Sequence, residues 1–106
     1  MARGLLGKAM SSANANVTLY TVPAGVQFAT VQLIAANNDA SDATMKVAVG
    51  TSAIPGVGDY IEHGVVVPSK GNYERTCFLM STGENLIINA NNSLISLRVM
   101  GLEEAV

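Results

Sequence analysis

The chain has 106 residues, of which 49% are hydrophobic and only 13% charged, with a formal net charge of −2. This length fits one domain with an ordinary core, and the charge balance excludes the clustered basic face that nucleic acid requires. No apolar run reaches the roughly 18–20 residues of a membrane span, and a single cysteine, Cys77, excludes an intrachain disulfide framework.

Charged residues stand at about half the share usual for a soluble domain. Too few remain to coat a lone monomer, so contacts with copies of the chain or with a larger assembly are expected. The first ten residues, MARGLLGKAM, carry Arg3 and Lys8 but no continuous apolar segment. No secretory signal is expected, and synthesis in a cytoplasm follows. Without such a signal the two glycosylation sequons, at Asn16 and Asn91, are read as chance.

In chain order, residues 1–15 predict an N-terminal arm or edge strand, ahead of a domain over residues 16–106. A helix over residues 5–10 would be too short to persist without packing. Two β-rich runs follow. Val17, Thr18, Tyr20, Thr21 and Val22 suit a pleated surface; Pro23 and Gly25 then turn the chain. The second run carries Val26, Phe28, Val31, Leu33 and Ala35. Its apolar positions move from even to odd, which predicts a bulge or bend near Ala29 and Thr30.

Residues 37–42, NNDASD, are dense in turn formers, with Asp39 and Asp42 placed to cap backbone groups. Residues 43–49 alternate as a half-buried strand, Met45, Val47 and Val49 against Thr44 and Lys46. Residues 50–58, GTSAIPGVG, read as a loop. Further extended segments are expected over 59–67, 73–80, 86–88 and 93–100, separated by turns, with Glu103 and Glu104 on a short acidic tail. The sum is an all-β, single-domain antiparallel β-sandwich or jelly-roll-like barrel of seven or eight strands.

Residues able to do chemistry are sparse. His63 is the only histidine and lacks partners at ligand spacing, so it reads as structural or surface and no metal is expected. Cys77, within an alternating strand, reads as a buried apolar thiol rather than a nucleophile. Glu74 and Arg75 are strand neighbours on opposite faces, each expected to pair across the sheet or across a subunit boundary. Gly56 and Gly58 resemble a phosphate loop, but a strand and not a helix follows them. Tyr20, Tyr60 and Tyr73 suit interface anchors, with core or rim packing as the alternative. No catalytic residue and no cofactor is expected, and the chain does not read as an enzyme.

Five segments bear a resemblance in order and spacing: LYTVPAG (19–25), SDATMKVAV (41–49), DYIE (59–62), NYERT (72–76) and LRVMGLEE (97–104). Together they resemble a family of small β-sandwich virion structural proteins of tailed bacteriophages, over nearly the whole of residues 16–104. The loop 50–58 and the N-terminal arm depart from that pattern. The resemblance implies a capsid decoration (cement) protein that binds the major capsid protein on the outer shell and bridges its subunits. It would be located in the virion after synthesis in the bacterial host cytoplasm, with no membrane or nucleic-acid partner. A homo-oligomer is implied, with a trimer preferred. The expected interface comprises Leu5, Leu6 and Met10 of the arm with Tyr20, Tyr60, Tyr73 and Arg75. Deleting residues 1–12 is expected to leave the fold intact and abolish particle binding. The alternative is a tail, collar or fibre accessory protein engaging a partner through loops 50–58 and 68–72. A carbohydrate-binding or hydrolytic module is disfavoured, because Trp is absent and no pair of carboxylates is legible.

Overall fold

A computed structural model describes residues 3–105 and, within them, all side chains but those of Arg3, Thr76 and Cys77. The expectation of a buried Cys77 thiol, and Met1 and Ala2 of the expected arm, therefore lie outside the described residues. Eight strands are present among the described residues: β1 (Arg3–Met10), β2 (Ala15–Thr21), β3 (Val26–Asn37), β4 (Ala43–Gly50), β5 (Tyr60–Val67), β6 (Asn72–Ser81), β7 (Asn85–Ala90) and β8 (Ile95–Ala105). One turn of 3-10 helix, Val57–Asp59, leads into β5.

The pairing is nested. β4 pairs with β5, β3 with β6, β2 with β7 and β1 with β8, all antiparallel. Two further ladders, β3 with β8 and β4 with β7, join this long folded ribbon into two four-stranded sheets. The first has the order β1-β8-β3-β6 and the second β2-β7-β4-β5. This is a jelly roll, a double-sheet architecture that hides most strand edges.

Alternation decides which residues lie between the sheets. Val31, Leu33 and Ala35 of β3, Ile95, Leu97 and Val99 of β8 and Met80 of β6 are buried from the first sheet. Met45 and Val47 of β4, Leu86 and Ile88 of β7 and Val67 of β5 meet them from the second. Turn chemistry fixes the corners. Val26 N donates to Pro23 O (3.2 Å) around Gly25, whose φ of +91° only glycine adopts freely.

The bulge expected at Ala29 and Thr30 lies elsewhere. In β3 the register against β8 slips between Val26 and Phe28, so Val26 and Ala29 both face inward. A second irregularity, between Val31 and Leu33, places the extra residue on β6 opposite Gln32. The even-to-odd change in the sequence thus conflated a bulge with a strand that is apolar on both faces.

The acidic tail is also corrected. Glu103 and Glu104 belong to β8, because the inward set Leu97, Val99, Gly101 simply continues to Glu103, which is buried. Gly101 is required there: a Cβ would sit 2.0 Å from the Thr30 carbonyl oxygen.

Candidate interaction site

The outward positions of the first sheet form rows across its strands. Leu79 of β6, Thr30 of β3 and Leu102 of β8 make one row. Gln32, Met100 and Leu5 make the next. Glu74, Ile34, Arg98 and Lys8 make a third, and Asn72, Ala36, Ser96 and Met10 a fourth. Three leucines here are open to solvent, with Leu79 exposed by 65%, Leu5 by 51% and Leu102 by 41%. Two shallow depressions of about 310 Å³ each mark the same face. One is bordered by Thr30, Gln32, Met100 and Leu102, the other by Lys8, Met10, Ser96 and Arg98.

The second sheet presents a different outer face. Asn16, Asn89, Lys46 and His63 form one row, and Asn89 Nδ2 donates to Asn16 Oδ1 at 2.9 Å. Thr18, Ile87, Ala48 and Tyr60 form the next. Ile87 and Ala48 are buried outside the main core, and Tyr60 meets the His63 ring edge-on at 4.9 Å. This face is mostly polar: Ile87 and Ala48 are covered, and Val66, opposite Thr44 on the edge strand β5, is its one large aliphatic group exposed by half among the described residues. The apolar surplus of the composition is therefore concentrated on the first sheet and on the 50–58 loop, where Ile54 and Val57 are exposed by 78% and 95%.

Two tyrosine–carboxylate contacts tie the sheets together. Glu62 of β5 accepts from Tyr73 Oη (2.6 Å) and from Arg75 Nη1 (3.0 Å), both on β6. Burial, then the Glu62 carboxylate, push the Tyr73 hydroxyl up to about 12, and Arg75 opposes them. Toward the opposite side Tyr20 of β2 donates to Glu103 of β8. Desolvation, followed by Glu103, holds the Tyr20 hydroxyl far above its ordinary value. These groups act as clasps; neither lines an open cleft.

The seven residues expected at an interface do not converge. Leu5 and Met10 share the outer face of the first sheet, whereas Leu6 turns to the core because β1 carries an extra residue between Leu5 and Gly7. Tyr20 is buried, Tyr60 lies on the other sheet, and Tyr73 and Arg75 bind Glu62. Sequence reasoning missed Phe28, Ile34, Leu79, Met100 and Leu102. The available signal was their alternation partners: Val31, Leu33, Met80 and Val99 already fill the inward positions.

Asp39 and Asp42 accept backbone N–H groups of Ala40 (2.7 Å) and Ser69 (2.8 Å). Among the described residues no three of His, Cys, Asp and Glu come together as a metal site, and no helix is long and apolar enough to cross a membrane.

By fold, the molecule is an eight-stranded jelly roll. No protein-family model matches the chain, and no curated protein matches it. Among solved structures it is similar to two crystal structures described as a pentameric capsid protein isolated from metagenomic phage sequences. Identity is 14% in both, with TM-scores of 0.41 and 0.40; the match covers 92% of this chain and 62% and 64% of theirs. The chain thus spans less than two thirds of the length of those proteins, and a likeness this distant bears on neither function nor assembly.

Proposed function

We propose that the chain is a virion structural protein of a tailed bacteriophage, a capsid decoration (cement) protein that binds the major capsid protein on the outer shell. The observation that carries this reading is the exposed apolar outer face of the first sheet around Leu5, Leu79 and Leu102. Burying such area contributes ~25 cal/mol per Å², offset by the cost of association. Low charge and the five-segment resemblance support the same role. β1 would add Leu5 and Met10 to the contact. The molecule would do its work by bridging neighbours, with no reaction on its surface.

The apolar tip of loop 50–58, with Ile54 and Val57 exposed, favours a second reading as a tail, collar or fibre accessory protein. Quantitative protein analysis of purified heads and isolated tails, from the phage encoding the chain, separates them. The first reading expects the chain on heads in numbers comparable to the major capsid protein. Enrichment in tails supports the second, and absence from particles overturns both.

A further inference from the structure

The outer face of the first sheet is self-complementary, and we propose that a second copy of the chain docks on it, face to face, about a two-fold axis running along the strands between β3 and β8. This rests on the proposed function and names what covers that face in the free protein, where a shell subunit would take the sister copy's place on the particle.

The sheet has four strands, so such an axis exchanges β6 with β1 and β3 with β8. In the third row this sets Glu74 of one copy over Lys8 of the other, and Ile34 over Arg98, whose aliphatic stem packs on apolar surface while its charge stays wet. In the second row Gln32 falls on Met100, and in the first Thr30 falls on Leu102. No like charges are opposed in these rows, and the Glu74–Lys8 contact occurs twice, as an isologous interface requires. Without the axis both charges face outward on opposite rims of one apolar sheet. The strand neighbour of Lys8 is Arg98, so no carboxylate stands opposite it on β8.

The size agrees. Four strands spaced ~4.8 Å apart and about eight residues rising ~3.3 Å each give a face of roughly 500 Å². Two copies would bury about 1,000 Å², the lower bound for a specific interface. A net charge of −2 per copy adds little repulsion. The pair is thus a reversible, weak dimer that can give way to a shell subunit binding the same face.

Sedimentation of the purified chain over a concentration series tests this. The wild type is expected to pass from monomer to dimer at micromolar concentration. Met100→Glu, which falls on Gln32 beside the axis and brings two carboxylates close together, is expected to abolish the dimer, while Thr18→Glu on the other sheet leaves it unchanged. Lys8→Glu or Glu74→Lys alone raises the dissociation constant roughly tenfold, since each change acts twice, and the combined K8E/E74K chain returns to near the wild-type value. Circular dichroism verifies that each variant is folded. A monomer at every concentration overturns the proposal, as does an oligomer indifferent to Met100→Glu or a double reversal without rescue. None of these results touches particle binding, which the head and tail analysis reads separately.

Discussion

Tyr73 and Tyr20 each donate a hydroxyl hydrogen bond to a carboxylate on the opposite sheet, and for both the folded state holds the hydroxyl proton more tightly than the unfolded chain does. A raised folded-state value contributes stability that is full below the unfolded value and lost as pH climbs through the folded one. For Tyr73 that window runs from 10.0 to about 12. Denaturation midpoints compared near pH 8 and near pH 11 should show the wild type losing stability, and Tyr73→Phe, with one titrating clasp removed, losing less. Equal losses would contradict the clasp. Neither partner of these tyrosines was legible in the sequence. Glu62 and Tyr73 lie 11 positions apart, and Tyr20 and Glu103 lie 83 apart, so only the folded ribbon brings them together. Glu103 did carry a signal. Counting by twos from Leu97 puts it on the inward side, but a carboxylate near a chain end reads as solvated unless a partner is known.

At the scale of elements, period-two alternation found β4, β6 and β8, and turn residues placed most corners. The bulges escaped because one extra residue moves a side chain to the other face without altering composition. All four edge strands, β1, β6, β2 and β5, are irregular. β5 carries Gly64 at φ +91° where its register slips against β4, and β1 slips at Leu6. Such kinks blunt an edge that would otherwise recruit stray strands. β1 matters for more than contact. It pairs with β8 over most of its length, Leu6 and Ala9 pack on the core, and Gly7 lets the chain approach the Leu19 carbonyl so closely that a Cβ would lie 2.3 Å away. Deleting residues 1–12 is therefore expected to lower the unfolding temperature by several degrees and raise aggregation, by uncovering the β8 edge. This departs from the intact fold expected of a dispensable arm. A truncated chain that melts with the wild type and stays dispersed would show β1 to be an appendage.

For the whole molecule, the all-β sandwich expected from alternation and turn spacing is present, and the composition had suggested surplus apolar surface. It did not say where that surface lies, since β3 is apolar on both sides and sequence alone cannot tell the face turned to the core from the one turned outward. The structure separates them: one outer sheet face is mostly Asn, Thr, Lys and His with Val66 at its edge, the other carries a field of Leu, Met and Ile interrupted by Gln32 and Arg98 and bounded by Lys8 and Glu74. A particle reconstruction at side-chain resolution tests most directly whether that field exists to be covered by protein. Leu5, Leu79 and Leu102 should lie beneath density from a sister copy or a shell subunit, with the Asn16–Asn89 face toward solvent. The reverse orientation, with the leucines facing water and the polar sheet seated on the particle, would contradict the account.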